Sequence, residues 1–255
     1  MRRTLAAPHM QTTAAPLRIV PWLAVAMWVA VADAGAGSFQ VNPIRVDMAK
    51  GATTAAITLR NDGEEPIVVQ SSVVGWAQEN GQEVYAPTTE ALVTPPIMTV
   101  PPGGEQIVRV GLRRAPDPQR ELTYRLYLQE VPPPPKPGVT GLQVALRVGL
   151  PVFVAPVAPG IRRLEWSAQI RADGAIVLTA QSTGNAHVQV TDFELRLPGA
   201  GEPVAHESSL AYVLAGQRRQ WTLPAPADRV KSARELRLKA FTDAGEIDAA
   251  VKVEP

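Results

Sequence analysis

Few side chains in this chain of 255 residues could do covalent or metal chemistry. It holds 3 histidines and no cysteine, so thiol nucleophiles, thiolate zinc sites and disulfides are all excluded. His9 falls in a leader-like stretch, which leaves His187 and His206. His187 near Asp192, or His206 beside Glu207, could be drawn as a pair of metal ligands, but two ligands without further His or Cys make a poor zinc site. Both histidines read more simply as polar loop positions. There is no G-x-S-x-G elbow, no H-E-x-x-H pair, no P-loop and no strand-linked G-x-G-x-x-G. "PPGGEQ", residues 101–106, looks like a phosphate loop but lacks the Lys-Ser/Thr, and reads as a turn between strands. The acids are scattered and offer no carboxylate pair for glycosidase chemistry. Catalysis therefore has no residue-level support, and neither a cofactor nor a metal is expected.

The formal net charge of +1 lacks the basic excess with which nucleic-acid binders displace counterions, so no nucleic-acid partner is expected. "IVPWLAVAMWVAVA", residues 19–32, is apolar, follows Arg2, Arg3 and Arg18, and precedes the small residues "ADAGAG". It is short for a bilayer span and bounded like a signal peptide, with Ala32-Asp33-Ala34 or Ala34-Gly35-Ala36 as the cleavage site. Residues 1–36 are read as that signal, with Met10 as an alternative start; a membrane anchor is the competing reading. The expected mature protein is soluble outside the cytoplasm and, without cysteine, stands on a hydrophobic core.

The elements that follow are strands. "SFQVNPIRVDM", "TTAAITLRND", "PIVVQSSVVGWAQ", "QIVRVGLRR" and "LTYRLYLQEV" alternate in polarity and are separated by "NDGEEP", "ENGQE", "VPPGGE" and "APDPQR". With 25 prolines, this indicates antiparallel all-β structure, as a sandwich with open edges rather than a closed barrel. A second set runs "RRLEWSAQIR", "AIVLTAQSTG", "VQVTDFELRLP", "AYVLAGQRRQWTL" and "ELRLKAFTDAGEIDAAVKVE", with "ADG" and "DAG" as hairpin turns. "APVAPG", residues 155–160, reads as a hinge between two β domains, 37–155 and 156–255.

One strand stands apart. After the proline run "PPPPKP", residues Leu142, Val144, Leu146, Val148, Leu150, Val152 and Val154 all fall on one parity. Alternation alone leaves open whether this is a core strand or an exposed edge that another chain pairs with.

Four motifs bear on the choice. "ITLRNDGEEPIVVQSSVVGW", "TPPIMTVPPGGEQIVRV", "RELTYRLYLQEVP" and "GLQVALRVGLPVFVAP", in this order and spacing, resemble the PapD-like periplasmic chaperones of the chaperone/usher pilus pathway, from about Phe39 to Pro156. The rest of the chain is compatible but carries no sharp motif. The resemblance implies two immunoglobulin-like β-sandwich domains set at an angle as a boomerang, in which the seventh strand of the first is inserted into an incomplete pilin subunit. Leu142, Val144 and Leu146 then sit at the donated positions, Val148 and Leu150 continue the row, and Ala145 and Phe153 on the other parity supply the protein's own core. Burying three such aliphatic side chains is worth about 5 to 9 kcal/mol before ordering costs. "PPPPKPGVT" would be a mobile loop that orders when a subunit pairs.

The family anchors the subunit's terminal carboxylate with an arginine on the first strand and a lysine on the seventh. Arg45 matches the arginine, but the lysine position aligns with Pro151. That loss, with Arg125 in "LTYRLYLQE", looks like the alternative branch that serves spore-coat-U-like subunits; Arg125 or Arg147 could supply the second cation. A solvated strand-edge charge is the competing reading for each arginine. Asn61 and Asp62 match a family turn, Pro95 and Pro96 a turn where a cis peptide is plausible, and Trp76 and Tyr127 are read as packing residues. The resemblance implies a non-enzymatic periplasmic protein of fimbria assembly whose partners are pilin subunits and an outer-membrane usher. Whether the free protein self-associates stays open. The alternative from another class is a secreted structural β-sandwich or pilin-like surface subunit.

Overall fold

A computed structural model of the chain describes residues 39–133 and 144–254. The expected leader, most of the proline-rich loop and Leu142 lie outside the described residues.

Among the described residues ten strands make up the first half: β1 (Phe39–Asn42), β2 (Val46–Met48), β3 (Thr54–Asn61), β4 (Ile67–Glu79), β5 (Gln82–Pro87), β6 (Ala91–Thr94), β7 (Ile97–Val100), β8 (Glu105–Leu112), β9 (Leu122–Val131) and β10 (Arg147–Val154). They form one sheet in the order β1-β3-β8-β6 and a second in the order β2-β10-β9-β4-β5, with β7 also on β4. Between them lies a core that includes Ile57, Leu59, Val69, Val108, Leu126, Leu128 and Val152, contributed by alternate residues of each strand as sandwich packing requires.

Eight strands follow: β11 (Leu164–Ile170), β12 (Ile176–Ser182), β13 (Val188–Arg196), β14 (Pro203–Glu207), β15 (Ala211–Val213), β16 (Arg218–Leu223), β17 (Glu235–Thr242) and β18 (Gly245–Glu254), with one helical turn, α1 (Ala227–Val230). Their path is β14-β13-β17-β18-β11-β12-β16, with β15 on β13. β18 and β11 meet over two parallel pairs, Ala168↔Val253 and Gln169↔Glu254. The second core holds Ile176, Leu178, Phe193, Leu195, Leu236 and Leu238. The expected turns are in place, since Gly174 closes β11 to β12 and Gly245 closes β17 to β18, both at positive φ. The molecule is thus all-β, built from two immunoglobulin-like sandwiches.

Sequence alternation missed several short pieces, namely β5, β6, β7, β14 and α1. The turn residues behave as read. Asn61 is buried, its amide donates to the carbonyls of Glu65 (2.8 Å) and Val100 (3.0 Å), and its oxygen accepts from Gly63 N–H (2.9 Å). The Thr94–Pro95 peptide is cis.

The second half is tied to the first through polar groups as well as rings. Gln78 donates to the Tyr212 carbonyl (2.7 Å) and accepts from Leu214 N–H (3.0 Å). Asn80 and Gly81 take positive φ at the tip of β4–β5, the conformation a tight hairpin needs. The Gly81 carbonyl accepts from Gln220 N–H at 3.1 Å, and a Cβ on Gly81 would lie 2.6 Å from the Gln220 side chain. Only glycine fits there.

Candidate functional site

β10 pairs with β9 along its whole length, from Arg147↔Gln129 to Val154↔Leu122. On its other side β2 covers just Val152, Phe153 and Val154. Among the described residues Arg147–Pro151 have no partner strand on that side. Glu130 N–H donates to the Leu146 carbonyl (2.9 Å) and Ala155 N–H to the Met48 carbonyl (3.0 Å). Because backbone groups alternate edges along an antiparallel pair, even-numbered residues of β10 face β9 and odd-numbered ones face the other edge. Arg147 and Gly149 therefore offer both N–H and C=O on the open edge, while Pro151 offers only its C=O.

The apolar row divides along the strand. Val144 is 60% exposed and Leu146 37%, Val148 packs partly on the first core, and Leu150, Val152 and Val154 lie within that core. Leu150, expected among the donated side chains, is 2% exposed; it is already covered by the protein's own sandwich. The opposite parity departs from expectation too. Ala145 is exposed, and Phe153 belongs to neither sandwich core but to the cluster that joins the halves, with Trp76, Tyr212 and Leu214.

Phe153 stacks on His187 with ring centroids 3.6 Å apart. His187 Nδ1 lies 2.8 Å from Glu121 Oε2, which also accepts from His187 N–H at 2.9 Å. The histidine pairings weighed from sequence are thus replaced: His187 meets Glu121, and His206 Nε2 meets Asp192 at 2.8 Å. Among the described residues no group of three or more His, Cys, Asp or Glu is arranged to hold a metal.

Arg45 and Arg125 both act on Tyr212. Arg45 bonds Asp47 through Nε (2.8 Å) and donates to Gln189 Oε1 (3.1 Å). Arg125 stands opposite Pro151 on β9, its guanidinium 5.1 Å from the Trp76 ring centroid. Tyr212 packs against Trp76, the ring that carries Arg125, with centroids 5.7 Å apart. Burial pushes its hydroxyl above the ordinary phenol range, while Arg45 beside it and Arg125 pull the other way. Burial works against the Arg45 cation, but Asp47 and Tyr212 more than offset it and hold Arg45 above its usual value. A guanidinium group suits an oxygen-rich anion, since it matches a carboxylate in a two-pronged fashion.

The partners that sequence reasoning missed are Gln189 on β13, Tyr212 on β15 and Glu121 just ahead of β9; each is distant in sequence from the residue it meets, and no local pattern marks them. Pro151 is buried, at the position expected for the family lysine.

Residues 38–159 match the family described as pili and flagellar-assembly chaperone, PapD N-terminal domain. No curated protein sequence matches the chain. Among solved structures, a chain of the CsuC–CsuE chaperone–tip adhesion subunit pre-assembly complex from the archaic chaperone–usher Csu pili of Acinetobacter baumannii aligns with TM-score 0.60 and 18% identity, over 85% of this chain and 98% of that one. The Salmonella enterica SafA pilin–SafB chaperone complex gives TM-score 0.58 and 21% identity over 85% and 97%. The Escherichia coli chaperone DraB gives 0.54 and 21% over 86% and 100%. Residues 38–159 thus carry the N-terminal domain of the pili and flagellar-assembly chaperone family, and the chain as a whole shares the two-sandwich fold of these solved chaperone structures.

Proposed function

We propose that this protein is a periplasmic chaperone of pilus assembly. It catches an incomplete pilin subunit by pairing the upper part of β10 with it, keeps it from polymerising early and passes it to an outer-membrane usher. The observation that carries the reading is the open Arg147–Pro151 edge, flanked by the exposed Val144 and Leu146. An unpaired edge beside apolar side chains is an aggregation hazard that β-augmentation turns to use: ladder hydrogen bonds give affinity and alternate side chains give specificity. Leu142, Val144 and Leu146 are the donated side chains, with Val148 at the boundary. Arg45 and Arg125 receive the subunit's terminal carboxylate, which makes Arg125 the replacement for the lysine absent at Pro151. The incoming strand then ends at the cleft and runs parallel to β10. No catalysis or cofactor is required, because strand exchange in the growing fibre supplies the driving force.

Residues 1–36 are the export signal, 37–155 the chaperone domain with its strand and 156–255 the second domain. The missing lysine favours the branch that serves spore-coat-U-like subunits, and the likeness to a chain of an archaic Csu complex is in line with it. The test is co-expression with the pilin subunits encoded beside it and purification from the periplasm. A subunit should co-purify with wild type and be lost with Val144→Asp, Leu146→Asp and Arg45→Ala while these stay folded. Folded strand variants that still retain the subunit would overturn the reading.

A further inference from the structure

The cleft-side face of β10 carries a third guanidinium, Arg147, that the carboxylate site does not use. Its Cζ lies 4.0 Å from the centroid of the Tyr127 ring. Tyr127 is the cross-strand partner of Gly149, and a Cβ on Gly149 would lie 3.0 Å from the ring and 3.2 Å from Arg125 Nε. The absence of a side chain at 149 is what lets ring and guanidinium lie across the open-edge backbone. Tyr85 meets the Tyr127 ring edge to face at 6.3 Å, and Trp76 lies 6.4 Å from Tyr85 and beneath Arg125. Arg147 and Arg125 are thus held in place by aromatic faces, and among the described residues neither has a carboxylate within 4 Å. Cation–π contact fixes a guanidinium without occupying its N–H donors.

Resting on the docking reading above, we infer that Arg147 is a second anionic subsite, which selects partner strands bearing an acidic side chain four residues before their terminal residue. The spacing follows from the strand. Arg125 stands level with Pro151, and the four residues from there back to Arg147 span about 13 Å at ~3.3 Å each. A strand running parallel to β10, with its carboxylate at Arg45 and Arg125, places its residue four positions upstream level with Arg147 and on the same face, because side chains alternate with period two. The residue two positions upstream stands level with Gly149, which has no side chain. Residues three and five upstream face the other way.

The test uses the mature full-length protein and synthetic nonapeptides of alternating Val and Thr with a free terminal carboxylate. A single Glu is moved from two to five positions before the terminal residue, and binding is measured by calorimetry. Wild type should bind the peptide with Glu at the fourth position about three- to tenfold tighter than the others. Arg147→Ala should erase that preference and leave the other peptides unchanged, and Arg147→Glu should turn it toward a Lys-bearing peptide. A flat profile, or a preference that survives Arg147→Glu, overturns the inference while leaving the docking reading standing, provided amidation of the terminus and Arg45→Ala still weaken every peptide. If no peptide binds, or amidation and Arg45→Ala change nothing, the docking reading falls and the inference with it.

Discussion

Val144, Leu146 and Val148 share composition and parity with Leu150, Val152 and Val154, yet the first two stand in solvent and the last three are sealed in the core. The difference lies in the neighbours. β2, three residues long, pairs with Val152, Phe153 and Val154 and stops, leaving Arg147–Pro151 with an open edge, while the first core reaches up the row to Leu150 and only partly to Val148. Alternation fixes which side chains share a face; the strands and sheets around them decide whether that face is covered. Among the described residues a single strand is thereby paired on both sides at one end and on one side only at the other.

Substitutions along the strand separate the two parts. Val152→Asp places an unpaired charge in a fully buried site and should cost about 4 kcal/mol or more, read as loss of the folded baseline in urea. Phe153→Ala removes the ring between Trp76, Tyr212 and His187 and should cost about 3 kcal/mol, seen as a lowered denaturation midpoint. Glu121→Ala strips His187 of the acceptor for two N–H groups; a loss of about 2 kcal/mol is expected, and Glu121→Gln, which retains one acceptor, should recover part of it. Gly149→Ala forces its methyl against Tyr127 and should cost about 1 kcal/mol. Leu146→Asp, in the open part, should leave the urea midpoint within about 0.5 kcal/mol of wild type. A Leu146→Asp penalty as large as that of Val152→Asp would erase the contrast.

Much of this was legible in the sequence, and the failures have physical causes. Strand periodicity and turn chemistry brought out the β architecture, and Gly174 and Gly245 sit at the expected hairpins. β5, β6 and β7 are too short for alternation to register. Arg45 and Arg125 come from family likeness, and Tyr212, on which both act, lies on a strand more than 80 residues away from either. The sequence reveals parity but not what covers each face: Leu150 lies under the protein's own first sandwich, and the face opposite that core, expected to supply more of it, is where Phe153 meets Trp76, His187 and Tyr212.

Residue-resolved amide hydrogen exchange over β10, with and without a pilin subunit, tests the open edge most directly. In the free protein the Val148 and Leu150 amides, bonded to β9, should exchange slowly and those of Arg147 and Gly149 fast, so that protection alternates residue by residue. Adding the subunit should slow Arg147 and Gly149 and leave their neighbours as they were. Arg147 and Gly149 amides already protected in the free protein, or still exchanging fast in the complex, would contradict an edge held open for a partner strand.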